Sequence, residues 1–238
     1  MKIVVVIPTY CERENIQKLI PQIQLATKNL QHELSILIVD DNSPDKTADA
    51  VRSLMKNAEK IHLLTGNKLG LGAAYIRGMK YAIEKLAAGV VIEMDADFSH
   101  NPNDLPKLIK EIEKGATFVI GSRYIEGGKI KNWSFFRHWL SGLGNLVVRK
   151  ALGLNKVQDC TAGFRAIKTD LIKKVNLDSI KANGYAFQVW LLYSACKVGA
   201  KIKEVPVEFV DREVGKTKLG FWDIIEGIII LIKLRFKM

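Results

Sequence analysis

The feature that most constrains this chain is an alternation of two periodicities across its first 122 residues. Short β-branched apolar runs lie at Ile3–Ile7, Leu34–Val39, Ile61–Leu64, Val90–Met94 and Thr117–Ile120. Helical patterns separate them at about Arg13–Lys28, Lys46–Asn57, Gly72–Leu86 and Asp104–Lys114. Apolar runs this short read as strands buried on both faces. Strands joined through helices imply βαβ units: an α/β fold of Rossmann type, with a mostly parallel sheet and helices on both faces. In such sheets ligands bind outside the carboxyl ends of the strands, where the strand order reverses.

Polar punctuation sits at those ends. The first strand runs into Pro8-Thr9-Tyr10-Cys11-Glu12, the second into Asp40-Asp41-Asn42-Ser43-Pro44, and the fourth into Asp95-Ala96-Asp97. The fifth runs into Gly121-Ser122-Arg123-Tyr124. Two carboxylates one residue apart suit a divalent cation held against a diphosphate, because Mg²⁺ and Mn²⁺ take hard oxygen ligands shared with substrate phosphates. Acid-x-acid tripeptides are common in loops, so the convergence of several strand ends carries more weight. Asp41 is open to two readings, a helix N-cap or Asx turn and a carboxylate facing a nucleotide. Tyr10 and Glu12 are open in the same way, as a core aromatic and a first-turn acid or as nucleotide contacts. Gly70-Leu71-Gly72 follows the third strand and lacks a third glycine, which excludes a dinucleotide fingerprint.

The 238 residues carry a formal net charge of +11, which calls for an anionic partner: nucleic acid, a membrane surface or phosphorylated substrates. Cys11, Cys160 and Cys196 are far apart and form no C-x-x-C, as expected of reduced thiols in a cytosolic compartment. No signal peptide is visible, which makes the Asn132-Trp133-Ser134 sequon accidental. No apolar run reaches the length of about 18 residues that a spanning helix needs. The nearest approach, Ile224–Ile232, is interrupted by Glu226.

The second half reads less regularly. Glu126–Lys131 is a glycine and charge loop, Trp133–Gly153 a helix, Val157–Ile167 a turn and strand, Ala186–Lys197 a helix and Lys201–Val210 a strand. Asp211–Gly220 is a basic loop ahead of a helical tail, Phe221–Met238, which divides the chain into a catalytic domain, 1–220, and an amphipathic extension, 221–238. Arg123, Arg137, Arg212, Lys216 and Lys218 each fall in a loop or at an element end. Any one alone fits solvated surface charge; together they suit phosphate recognition. Trp133, Phe135, Phe136 and Trp139 fit a core cluster or an interfacial helix. The tail's bulky apolar groups with Lys233, Arg235 and Lys237 favour peripheral membrane attachment over a helix that only covers the core.

The ordered motifs Pro8–Ile16, Val39–Asp45, Met94–His100 and Gly121–Tyr124 resemble family-2 inverting glycosyltransferases, and within them the dolichol-phosphate (polyprenol-phosphate) mannose synthases. Asp159–Ala166, Gly184–Gln188 and Asp211–Leu219 extend the likeness to nearly the whole chain. The resemblance implies a GT-A fold and transfer of mannose from GDP-mannose to dolichyl or polyprenyl phosphate. Glucosyl or other transfer from a UDP-sugar to the same lipid is the alternative. It assigns Pro8, Tyr10, Glu12, Val39, Asp41, Asp95, Ala96, Asp97, Arg212 and Lys218 to the nucleotide sugar. Asp95, Asp97 and Ser99 go to Mg²⁺ or Mn²⁺, and Arg123, Arg137 and Ser141 to the acceptor phosphate. Asp95, Asp97, Arg123 and Arg212 form the implied catalytic set.

The chain departs from the family pattern at Cys11-Glu12, where many relatives have N-E, and at Trp190, where many have an acid. The second departure removes a candidate base. A lipid monophosphate tolerates this: with a second pKa of about 6 it arrives ionised. The implied setting is peripheral, at the cytoplasmic face of a membrane, with a separate anchoring subunit possible and no nucleic acid. The contrasting reading, a non-catalytic basic domain on nucleic acid or anionic lipid, predicts no metal-dependent nucleotide binding.

Overall fold

The structure is a computed structural model and describes residues 1–56, 58–180, 182, 184–211, 231–232 and 234–235. The alternation expected from the sequence is present. Strands β1 (Lys2–Thr9), β2 (Glu33–Asp40), β3 (Ile61–Thr65), β4 (Val90–Glu93) and β5 (Phe118–Ser122) are separated by α1 (Arg13–Thr27), α2 (Thr47–Met55), α3 (Leu71–Glu84) and α4 (Leu105–Glu113). Beyond them come β6 (Lys129–Lys131), α5 (Phe135–Leu152), β7 (Arg165–Lys168), α6 (Thr169–Ile172), α7 (Gly184–Lys197), β8 (Ile202–Pro206) and β9 (Glu208–Val210).

Seven strands form one sheet in the order β3-β2-β1-β4-β7-β5-β8. Only β7 runs antiparallel, between β4 and β5. The chain builds outward from β1 through β2 to β3, then returns to place β4 on the other side of β1. That reversal opens a crevice above the carboxyl ends of β1 and β4.

Side-chain alternation along the strands divides the core in two. Ile3, Val5 and Ile7 pack with α1 and α4 on one face, while Val4 and Val6 pack with α3 and α7 on the other. Gly78 lets α3 approach the sheet closely. A Cβ there would lie 2.4 Å from Val6 Cγ1 and 2.9 Å from Val39 Cγ2.

Two second-half expectations are corrected. Lys201–Val210 is two strands rather than one: β8 belongs to the large sheet, and β9 pairs with β6 in a separate ribbon. Val207 makes the transfer, donating its N–H to Ser122 O and accepting from Lys129 N–H. Glu126–Lys131 is therefore not loop throughout, because its last three residues pair with β9. Most of the expected tail helix, and the loop carrying Arg212, Lys216 and Lys218, lie outside the described residues. At the described tail positions, Leu234 is buried in the α3/α7 core and Leu231 packs against it, whereas Ile232 is exposed. Among the described residues no helix is long and apolar enough to cross a membrane.

Candidate active site

The two neighbouring aspartates at the end of β2, Asp40 and Asp41, divide the roles that the sequence left open. Asp40 is fully buried and organises the rim: Oδ1 accepts from Thr9 Oγ1 at 2.9 Å and Ser43 Oγ at 2.6 Å, and Oδ2 accepts from Ser43 N–H. Ser43 Oγ in turn accepts from Cys11 N–H, tying the β1 loop to the β2 loop. Asp45 takes the turn-and-cap role, accepting from Arg13 N–H and from the N–H and hydroxyl of Thr47. Asp41 is released from local turn bonding and pairs instead with Arg77 Nη2 at 2.6 Å.

Cys11, Asn42 and Phe98, one in each loop after β1, β2 and β4, hold φ between 50° and 61°. Non-glycine residues seldom adopt that left-handed region, and such positions gather at functional sites. Tyr10 stands exposed on the rim with Lys68 Nζ 3.3 Å from its ring centroid. Glu12 accepts from Asn15 Nδ2 at 2.6 Å. Pro8 is part-buried, and Val39 is a core side chain beneath the rim.

Across the crevice, Asp95 Oδ1 accepts from the Tyr75 hydroxyl at 2.9 Å. The Asp95 N–H donates to His100 Nδ1 at 3.0 Å, which leaves the proton of the neutral ring on Nε2, 4.0 Å from Asp95 Oδ2. Burial lowers the His100 pKa against the opposing charges of Asp95 and Asp97, so the imidazole is neutral near pH 7. Asp97 Oδ1 accepts from Ser99 N–H at 3.1 Å. Ala96 is buried between the two carboxylates.

Ser99 Oγ is buried and has no hydrogen-bond partner. Two carboxylates and an orphaned hydroxyl on one short loop are hard oxygen donors that fit Mg²⁺ or Mn²⁺, with substrate phosphates supplying further ligands. Among the described residues no three His, Cys, Asp or Glu side chains gather as a metal-binding group, so a complete protein cage is not what the loop offers. Gly163 opens onto the loop. A Cβ there would lie 3.5 Å from His100 Cε1 and 3.7 Å from Asp95 Oδ2. Beneath, fully buried Glu93 faces Arg165 in the β4–β7 register. Burial pushes the Glu93 carboxyl up to about 8, with the Arg165 charge opposing.

On the β5 side, Arg123 is buried and bound to Asp159 through Nε and Nη2, and Nη2 also reaches Thr161 Oγ1 at 2.9 Å. Both guanidinium groups expected at the acceptor phosphate have a carboxylate partner, the Arg123 pair buried and the Arg137 pair part-exposed. Arg137 pairs with Asp211 and lies over the Trp133 ring at 4.2 Å. Ser141 follows one turn later on α5 and accepts at its carbonyl from Asn145 Nδ2. Asn145 also accepts from Cys160 N–H, which docks α5 onto the Asp159–Thr161 loop.

The aromatic cluster is split. Trp133 turns inward against Phe209 and His138, while Phe135, Phe136 and Trp139 are exposed, at 88%, 68% and 56%. Trp190 packs against the α3/α7 core. Sequence reasoning missed Tyr75, Arg77, His100, Glu93 and Asp159. Glu93 stood out as an acid inside an apolar run, and His100 and Asp159 lie within the motifs Met94–His100 and Asp159–Ala166 without a role assigned to them.

An α/β sheet with an acid-x-acid loop at its switch point and a doubly braced rim beside it defines a glycosyltransferase of the GT-A fold. The chain belongs to glycosyl transferase family 2, whose profile matches residues 4–175. It is 39% identical over 221 residues to an undecaprenyl-phosphate mannosyltransferase of Micrococcus luteus, covering 92% of this chain and 88% of that protein. It is 37% identical to a polyprenol monophosphomannose synthase of Mycolicibacterium smegmatis, covering 94% and 83%. A dolichol-phosphate mannosyltransferase of Pyrococcus furiosus is 38% identical across 92% of this chain, which spans 59% of that longer protein. Among solved structures, glucosyl-3-phosphoglycerate synthase of Mycobacterium tuberculosis, in complex with Mn²⁺, UDP and glucosyl-3-phosphoglycerate, superposes with a TM-score of 0.70. At 19% identity, covering 99% of this chain and 80% of that one, it shares the fold.

Proposed function

We propose that this glycosyltransferase moves mannose from GDP-mannose to a polyprenyl or dolichyl phosphate, with inversion, at a membrane surface. The observation that carries the reading is the pairing of an Asp41–Tyr10–Glu12 rim with the Asp95–Ser99 loop across one crevice, in a chain whose named relatives act on polyprenyl lipids. Asp41, Tyr10, Glu12 and Pro8 hold the nucleotide, with Val39 supporting the rim from the core. Asp95, Asp97 and Ser99 would hold Mg²⁺ or Mn²⁺, which would neutralise charge on the departing diphosphate. Arg137 and Ser141, side by side on α5 with Arg123 behind, fix the acceptor phosphate. The family likeness adds Arg212 and Lys218, outside the described residues, to the groups that bind the nucleotide sugar.

The acceptor oxygen is already anionic, so no side chain has to deprotonate it. It forms a bond to the anomeric carbon as the bond from that carbon to the diphosphate breaks, and GDP leaves with the electron pair. The protein's work is alignment and charge stabilisation, which accords with Trp190 at a position where a base is dispensable. Tyr75 holds the Asp95 carboxylate and His100 accepts from its backbone N–H, so the residue is positioned before the substrates arrive.

The reading is tested by offering radiolabelled GDP-mannose and UDP-glucose separately with a polyprenyl phosphate in detergent or vesicles. Label in the lipid fraction from GDP-mannose alone, as the β-anomer and abolished by chelator, is expected. Transfer from the UDP-sugar alone overturns it.

A further inference from the structure

Helix α3 sends two side chains to two different carboxylates at the rim. Tyr75 reaches Asp95 at the end of β4, and Arg77, two residues on, reaches Asp41 at the end of β2. The Tyr75 contact belongs to the diphosphate side. The Arg77 contact lies at the far end of the nucleotide footprint and is assigned by neither the family pattern nor the sequence motifs.

The guanidinium is tightly housed. Its plane lies against the backbone of Gly66, where a Cβ would come within 2.9 Å of Arg77 Cζ and 3.1 Å of Nε. Gly66 is itself held by its N–H donating to Asp40 O. Nη2 makes the 2.6 Å ion pair to Asp41 Oδ1, Nη1 points to Asn67 O at 3.4 Å, and Nε is buried with no partner. Asp41 Oδ2 has no hydrogen bond among the described residues. A nearly buried carboxylate thus has one oxygen fixed by a cation and the other left to accept. The pair offers an acceptor beside a donor, and Lys68, on the loop after Gly66, reaches back to the Tyr10 ring next to it.

We infer that Arg77 is a positioning residue for the donor nucleotide, setting Asp41 so that the pair reads a ring N–H next to a carbonyl on the base. Oxo-bases such as guanine and uracil carry that pair on one edge: the N–H donates to Asp41 Oδ2 and the carbonyl accepts from Arg77. Adenine has no ring N–H on that edge. An isolated Asp41 would lose both its fixed rotamer and the donor beside it. The inference rests on the proposed function for the identity of the nucleotide and adds the residue that orients it.

Calorimetric titration of the full chain with GDP, IDP, UDP and ADP, in Mn²⁺ buffer, is the test, run on wild type, Arg77→Ala and Arg77→Lys. IDP keeps the N–H and carbonyl of guanine and lacks its exocyclic amine. Wild type is expected to bind IDP within about threefold of GDP and ADP at least about tenfold more weakly. Both variants should weaken GDP about tenfold to a hundredfold, the loss typical of a hydrogen bond to a charged group. The KM for GDP-mannose should rise in step while kcat stays within about twofold. Arg77→Lys keeps a cation beside Asp41 and so remains informative if Arg77→Ala does not fold. Unchanged GDP affinity in Arg77→Lys, a fall in kcat at constant KM, or loss of IDP binding in wild type overturns the inference. If wild type ignores GDP and binds UDP, the proposed donor is wrong. Arg77 is then judged with UDP, which carries the same N–H and carbonyl.

Discussion

Arg123 is held by Asp159 along one edge of its guanidinium, Nε to Oδ2 at 2.7 Å and Nη2 to Oδ1 at 2.8 Å, and its own N–H donates to Oδ2 at 3.1 Å. Both residues are buried. Burial alone would raise the Asp159 pKa, but the charge and hydrogen bonds of Arg123 reverse this and hold it below the ordinary aspartate range. This pair fastens the end of β5 to the loop that also receives α5 through Asn145. Removing one partner of a buried pair strands the other, at a cost of about 3–5 kcal/mol. Asp159→Ala should therefore lower Tm by roughly 6–20 °C at neutral pH in a domain of this size, read by calorimetry. The pH dependence has a fixed sign. A depressed folded pKa contributes stability above the unfolded value of about 3.9 and loses it as pH falls through the folded value. The gap between wild type and Asp159→Asn should accordingly shrink below about pH 4. A gap constant across that range contradicts the assignment.

Asp97 and Tyr75 separate charge from aim. Asp97→Asn keeps an acceptor for the Ser99 N–H but removes a charge from the loop. Turnover should fall by about two to three decades, as when a main electrostatic stabiliser of a transition state is lost, with Tm unchanged and the Mn²⁺ requirement shifted to higher concentration. Tyr75→Phe only frees Asp95 from one donor and should cost about twofold to tenfold, in line with a single hydrogen bond. Equal losses in the two variants contradict this division.

The parallel half of the sheet was legible because each strand is a local signal. The observed β1 to β5 begin and end within two residues of the apolar runs that predict them. β7 was located without its direction, since nothing in Arg165–Lys168 states that it inserts antiparallel between β4 and β5. β6 is a three-residue strand whose partner β9 lies 79 positions away, and alternation over three residues carries no period. The rim showed its acids but not their division of labour. Asp40 and Asp41 are neighbours of one residue type, and only Thr9, Ser43 and Arg77, brought from other elements, make one structural and one available. Tyr75, His100 and Asp159 were hidden for the same reason, being partners supplied by the fold.

The three thiols should separate by burial. Cys11 is exposed on the rim after β1, Cys160 is fully buried with its thiol pushed up to about 12, and burial also raises Cys196. Since the thiolate is the reactive form, a native thiol titration near pH 8 should give one fast equivalent, lost in Cys11→Ser. The other two should need denaturant. GDP with Mn²⁺ should slow the fast equivalent if the rim holds the nucleotide. Indifference to GDP places the nucleotide elsewhere.

Helix α5 provides the test of membrane contact. Phe135, Phe136, Trp139, Leu143, Leu146 and Val147 are all exposed, and the spacing 135, 139, 143, 147 puts four of them on one stripe. The same helix is anchored underneath by Asn145 and Arg137, so the apolar stripe stands on a fixed support beside the proposed acceptor site. Exposed Lys129, Lys131 and Lys150 flank it, and each basic residue near an anionic surface adds about 1 kcal/mol of attraction. Burying one aromatic side chain of about 150–250 Å² is worth several kcal/mol at roughly 25 cal/mol per Å². Phe135→Glu with Trp139→Glu should therefore reduce co-sedimentation with phosphatidylglycerol-containing vesicles by a factor of about a hundred or more. Tm should change little, because Phe135 is almost wholly exposed and Trp139 more than half exposed. The rate with a short, water-soluble polyprenyl phosphate should hold, while the rate with a long-chain acceptor in vesicles falls. Unchanged partitioning would move the membrane contact off α5.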